Sequence, residues 1–126
     1  METTRNFLDK ARENLKAAEL CAAQELYNAC ANRIYYAALH AAIAALAQRG
    51  IRIEKIDHKL VQSEFNGKFI YRQKAYPAKF RTYLPDMQAL RNLGDYTSDN
   101  VSKTRASQQL AHLREMLQQI EQEVAA

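Results

Sequence analysis

Residues 28–50, NACANRIYYAALHAAIAALAQRG, decide the fold. The run from Ile34 to Ala47 is apolar nearly all round, interrupted by His40. A helix without a broad polar face must be wrapped by its neighbours, so this run predicts the central helix of a bundle, spanning about Glu25 to Arg49. Alanine dominates it, favouring helix and letting flanking helices approach closely. Gly50, just past the last turn, supplies a stop. The run is too short and too alanine-rich to span a bilayer.

Helical spacing continues on both sides. From Thr4 to Ala22, Phe7, Ala11, Leu15, Ala18 and Ala22 recur on one face, with Thr3 or Thr4 able to cap the start. After a connector over 51–57, a short helix is expected from His58 to Phe69, capped by Asp57, with Leu60, Val61, Phe65 and Phe69 inward. Asn66-Gly67 is a possible early stop. Tyr76 to Tyr96 reads as a helix with Phe80, Leu84, Met87 and Leu90 inward. Pro85 either kinks it or begins its second part as a first-turn residue, and Gly94 weakens its far end. Beyond the polar loop 97–100, Ala106, Leu110, Leu113, Leu117, Ile120 and Val124 form a bundle-like seam from Ser102 to Val124. The expectation is an all-α antiparallel bundle of four long helices and one short one, in a single domain covering residues 1–126.

The composition agrees with that class. The 126 residues include only three glycines and two prolines, which favours long helices and short connections. A net charge of +4 permits a polyanionic partner without requiring one. Cys21 and Cys30 lie in alanine-rich helical stretches and read as small buried hydrophobes. The polar first twelve residues predict no signal peptide and a cytoplasmic protein. The three histidines lack metal-ligand spacing, and there is neither a phosphate-cradling glycine loop nor a Ser/His/Asp arrangement. The reading therefore expects no metal, no cofactor and no membrane.

Within 28–50, the pattern R-x-Y-Y-A-x-x-H-A-A from Arg33, ending at a glycine, resembles the second helix of HEPN domains. His58 opens the next helix. The run Arg91-Asn92-Leu93-Gly94-Asp95-Tyr96 resembles the R-N-x-x-D-Y signature of one HEPN subgroup. Order, spacing and length agree across essentially the whole chain. The resemblance implies a helical bundle that commonly dimerises. It also implies either a ribonuclease of a prokaryotic toxin–antitoxin system or the partner of a small nucleotidyltransferase. In nuclease members an arginine and a histidine four to six residues apart form the site, at the contact between two copies. Arg91 matches the arginine, but the position of the histidine holds Tyr96. Tyrosine does not trade protons near neutral pH as histidine does.

Arg91 and Asp95 share a helix face. They read either as an intrahelical ion pair or as an arginine held by Asp95 to meet a phosphate. Asn32, Arg33, Tyr36 and His40 recur along the central helix. They form either an internal network around Arg91 or a pocket wall, with His40 as the remaining proton carrier. His58 is the next candidate proton carrier after His40, and the alternative is a solvated side chain, the commoner role of a histidine at a helix start. The segment 66–81 carries Lys68, Arg72, Lys74, Lys79 and Arg81 with no acidic residue, interleaved with Phe69, Tyr71, Tyr76 and Phe80. Basic groups with aromatics suit single-stranded RNA or an acidic partner, while the alternative is a loop whose aromatics anchor it to the core. The candidates are thus Arg91, Asp95, Tyr96 and His40 for chemistry, with Arg33, Tyr36 and the five basic residues for RNA or partner binding.

Overall fold

A computed structural model describes residues 2–72 and 75–125. Five α-helices account for most of the chain: α1 (Glu2–Ala23), α2 (Tyr27–Gln48), α3 (His58–Phe65), α4 (Tyr83–Tyr96) and α5 (Lys103–Ala125). No strand occurs among the described residues. The fold is all-α, as the helical periodicities and the glycine and proline counts require.

The centre of the bundle is α2, which packs against α1, α3, α4 and α5. From Ile34 to Ala47 every residue is buried except Tyr36 and His40, which are half-buried. Its end is a Schellman turn: Gly50 sits at φ +80°, its N–H reaches Ala47 O at 3.0 Å, and Ile51 N–H reaches Leu46 O at 2.9 Å. Its start lies two residues later than the sequence suggests. Glu25 adopts φ +59°, so it closes the α1–α2 turn instead of opening α2.

Contacts fix the directions of the remaining helices. Arg12 meets Glu121 and Arg114 meets Glu19, so α1 and α5 are antiparallel. Asn28 lies beside Val101 and Arg49 beside Glu123, so α2 and α5 run parallel. The inward line of α1 is Thr4, Leu8, Ala11, Asn14 and Ala18. This is a rotation from the expected face: Phe7, Leu15, Cys21 and Ala22 are only partly buried, because the helix packs on both α2 and α5.

The middle of the chain departs most from expectation. Asp57 caps α3 by accepting the Leu60 N–H at 3.2 Å, but Leu60 is exposed while Val61, Phe65 and Phe69 point inward. The chain does not stop at Asn66-Gly67 and instead continues as π-helical turns over Asn66–Arg72. A short 3-10 segment, Ala78–Thr82, then leads into α4. Pro85 falls in the first turn of α4, where a backbone N–H has no intrahelical acceptor. At the other end, Thr97 Oγ1 donates to Leu93 O at 2.6 Å and Ser102 Oγ accepts the Arg105 N–H at 3.1 Å, so polar side chains tie both sides of the 97–102 connection.

Gly94 is required by close approach. A Cβ there would meet Asn28 Oδ1 and Val101 Cγ2 at 3.1 Å and Asn28 Cα at 3.3 Å. Asn28 is itself the clasp between α2 and α5, accepting the Val101 N–H at 2.8 Å and donating to Asn100 Oδ1 at 3.0 Å. Gly94→Val is expected to lower stability by about 1–3 kcal/mol through overpacking. Urea denaturation checks this, and an unchanged or higher midpoint would contradict it.

Candidate functional site

Tyr36 and His40 are the half-buried side chains in the otherwise buried run of α2, and Arg33 and Asn32 continue their stripe one turn earlier. Two arginines converge on Tyr36. The Arg33 guanidinium lies 5.4 Å and the Arg91 guanidinium 5.7 Å from its ring centroid. Arg91 Nη1 also donates to the Tyr36 hydroxyl at 3.1 Å. Arg91 comes from α4 and is 8% exposed. Its guanidinium also lies 5.3 Å from the Tyr35 ring and 5.4 Å from the Tyr96 ring. Three tyrosines therefore cage it, each offering a π face that attracts the cation.

The hydrogen bonds of Arg91 go to neutral groups. Nη2 donates to Asn92 Oδ1 at 3.1 Å and to the Tyr96 hydroxyl at 3.5 Å, and Nε is buried without a partner. The Arg91–Asp95 pairing expected from their spacing is not formed. Asp95 instead accepts from Asn32 Nδ2 at 2.8 Å, because the antiparallel packing of α4 on α2 brings that amide to it. Arg33 likewise binds amides: Nη1 donates to Asn14 Oδ1 at 2.9 Å and Nε to Asn32 Oδ1 at 2.9 Å. Among the described residues no carboxylate forms an ion pair with either arginine, whereas Arg12, Arg49, Lys79 and Arg114 each pair with a glutamate.

Asn14 connects Arg33 to His40. Arginine has only donors, so Asn14 presents Oδ1 to Arg33 and turns Nδ2 toward His40 Nδ1, 3.2 Å away. Nδ1 must then accept, and the neutral imidazole carries its proton on Nε2. Burial, reinforced by the charges of Lys10 and Arg33, lowers the His40 pKa below its ordinary value.

Asn14, Tyr35 and His58 carry more of the site than their sequence context signals. Asn14 occupies the inward line of α1, and an amide in that register is a signal that was there to be read. Tyr35 is fully buried, with its pKa raised chiefly by that burial. Its hydroxyl meets His58 Nδ1 at 2.5 Å, and the two rings stack with centroids 5.3 Å apart. His58 also stands edge-on to Tyr36, 6.3 Å between centroids. It is therefore part of the Tyr35–Tyr36–Arg91 cluster and not a solvated helix start. The Asp57 cap fixes the turn that delivers it.

The basic segment lies apart from this cluster in the fold. Phe69, Tyr76 and Phe80 are buried and Tyr71 is 58% exposed, so most of the aromatics anchor the segment. Lys68 is half-buried and Arg72 and Arg81 are exposed. Lys79 is tied to Glu115 at 2.5 Å, and Lys74 lies outside the described residues. Tyr83 opens α4 next to this segment, about 12 Å of helical rise from Arg91. Cys30 is buried and its thiol is pushed up to about 11, chiefly by burial, so it stays protonated and inert, and neither cysteine is in a disulfide. Among the described residues no group of His, Cys, Asp or Glu is placed to hold a metal, and no helix is long and apolar enough to cross a membrane.

The geometry defines a helical-bundle domain with a polar, arginine-centred stripe on its central helix. The chain belongs to the HEPN domain family, whose pattern it matches over residues 4–123. A comparison with curated proteins found no match.

The lowered His40 pKa sets a sign for pH dependence. The unfolded chain takes up the proton more readily, so the contribution is intact above about pH 6.5 and is lost as pH falls through that value toward the folded pKa. Wild type should lose stability between about pH 7 and pH 5 relative to His40→Gln. Denaturation midpoints across that range check this, and parallel curves for the two proteins would contradict it.

Proposed function

We propose that this HEPN domain acts on RNA as a ribonuclease component of a prokaryotic toxin–antitoxin or nucleotidyltransferase-associated module. Its phosphate-binding groove is Arg33, Tyr36 and Arg91. The observation that carries this reading is a buried and a half-buried guanidinium that both contact the Tyr36 ring, with no carboxylate ion pair among the described residues. Withdrawing a cation from water costs several kcal/mol, and tyrosine faces and amide oxygens offset only part of that. An anionic ligand completes the balance, and guanidinium matches phosphate in a bidentate manner.

The roles follow from position. Arg91, braced by the Tyr36 hydroxyl and caged by aromatic rings, stabilises charge on the phosphate being cleaved. Arg33, more exposed, guides the backbone into the groove. His40, with its proton on Nε2, donates a hydrogen bond, and Tyr96 and Asp95 shape the rim. A second copy of the chain placed against the α2 stripe forms the homodimer and closes the cleft. Lys68, Arg72, Lys74, Lys79 and Arg81 extend contact with RNA or with a protein partner at a distance from the chemistry. The cellular setting of this reading is the cytoplasm.

A second reading is favoured by Tyr96. It is 71% exposed, while its hydroxyl lies 3.5 Å from Arg91 Nη2. A phenol presented beside a guanidinium suits a phosphate-bearing group on its oxygen. In this reading the chain is a non-catalytic module docked to a nucleotidyltransferase, which transfers a nucleotide to Tyr96. Mass spectrometry of the protein isolated from its native host tests this through a nucleotidyl adduct on the Tyr96 peptide.

The ribonuclease reading is tested with labelled total RNA in EDTA. Wild type is expected to cleave, and Arg91→Ala to lose about 10²–10³-fold in rate while keeping its helical circular dichroism. Arg33→Ala should weaken RNA binding and reduce its salt dependence by about one phosphate contact. Equal cleavage by wild type and Arg91→Ala would contradict the assignment.

A further inference from the structure

We infer that His58, delivered by the start of α3, is the proton-donating catalytic residue of this site, with Tyr35 as the residue that positions it. The inference rests on the ribonuclease reading of the Arg33–Tyr36–Arg91 groove and assigns the acid within it.

Geometry separates the three histidines. His112 stacks on Tyr83, 4.5 Å between centroids, near the start of α4 and away from Arg91. His40 has its tautomer set by Asn14, and its pKa is lowered by burial and by the charges of Lys10 and Arg33. It therefore resists becoming the cation that a proton donor must be. His58 instead sits against the tyrosines that hold Arg91. It is half-buried, and its ring nitrogen Nδ1 meets the neutral Tyr35 hydroxyl. Its ring packs on the two tyrosines that also hold Arg91: Tyr35 is 5.3 Å from both the His58 ring and the Arg91 guanidinium, and Tyr36 is 6.3 Å and 5.7 Å from them. One pair of tyrosines thus contacts both an imidazole and a guanidinium.

The hydrogen bonds give the imidazole a direction. Nδ1 is engaged by the Tyr35 hydroxyl at 2.5 Å, leaving Nε2 to face away from that contact. Tyr35 is held in turn: its ring is fully buried, and Gln62 Nε2 donates to its oxygen at 3.4 Å while also donating to Gln88 Oε1 at 2.8 Å. In the imidazolium form Nδ1–H donates to the Tyr35 oxygen and Nε2–H is the mobile proton.

The step balances without any further reactant. The RNA 2′-oxygen bonds to phosphorus and loses its proton to water. The bond from phosphorus to the 5′-oxygen breaks, and His58 Nε2 gives that oxygen its proton. The products are a 2′,3′-cyclic phosphate and a 5′-hydroxyl, with His58 left neutral and Nδ1–H on Tyr35. Removing the Nδ1 partner in Tyr35→Phe should therefore slow cleavage that needs this proton and spare cleavage that does not.

The test uses two RNA oligonucleotides, one ordinary and one in which sulfur replaces the bridging 5′-oxygen at the cleaved bond. A thiolate leaves without needing a proton. His58→Ala and His58→Asn (the latter retaining an acceptor for Tyr35) should each lose about 10²–10⁴-fold on ordinary RNA and cleave the sulfur-bridged RNA near the wild-type rate. Equal loss on both substrates would make His58 merely structural and overturn the inference. So would full activity of both variants alongside an inactive Arg91→Ala, a result that leaves the ribonuclease reading intact. Absence of cleavage by wild type on either RNA overturns that reading and this inference with it.

Discussion

Burying one helix on nearly every side constrains everything else in this molecule. Between Ile34 and Ala47, only Tyr36 and His40 are not fully buried. Alanine on the buried faces lets α1, α4 and α5 pack close to the α2 backbone. The groups that meet the remaining stripe must then be ones that tolerate confinement. The chain supplies amides, tyrosines and two arginines there. Asn14 and Asn32 satisfy Arg33, the Tyr36 hydroxyl and Asn92 satisfy much of Arg91, and three aromatic faces surround its charge.

The distribution of ion pairs gives that stripe its meaning. Arg12, Lys79 and Arg114 meet glutamates at largely exposed positions, where each pair contributes little to stability, and Arg49 meets the half-buried Glu123. Arg33 and Arg91 lie where a counterion would count for more, yet the one acidic side chain of the motif, Asp95, is held by Asn32. Positive charge concentrated against low-dielectric walls creates a field that a phosphate can complete. The same arrangement constrains the histidines. A guanidinium and a lysine near His40 oppose its protonation, and His58 reaches the cluster from another helix through tyrosine contacts.

Much of the fold was legible because helical periodicity carries it. The central helix, its glycine stop, the Asp57 cap and the seam of α5 all follow from residue spacing and end chemistry. The first helix was assigned a rotated face, since a helix packed on two neighbours has a wider apolar arc than a single stripe describes. The continuation through Asn66-Gly67 was not legible. The buried Phe69 and Tyr76 hold that segment against the core, and tertiary packing overrides the local stop signal. For the site, Arg91, Tyr36, Arg33 and His40 were recognisable as polar interruptions of apolar registers. Their partners were not. Spacing along α4 suggested Arg91–Asp95, but an interhelical amide competes for the same carboxylate. His58 looked like a solvated helix start because nothing in its own segment reveals that Tyr35, 23 residues earlier, lies beneath it.

The central claim is that the two arginines in contact with the Tyr36 ring form one receptor for RNA phosphate. The most direct measurement is NMR of the arginine Nε–H signals, assigned through Arg33→Lys and Arg91→Lys, during titration with a non-cleavable 2′-O-methyl oligoribonucleotide. The account predicts that the Arg33 and Arg91 signals shift together and saturably, and return toward their free positions as salt is raised. Saturable binding that shifts signals of residues 66–81 while leaving Arg33 and Arg91 unmoved would contradict it.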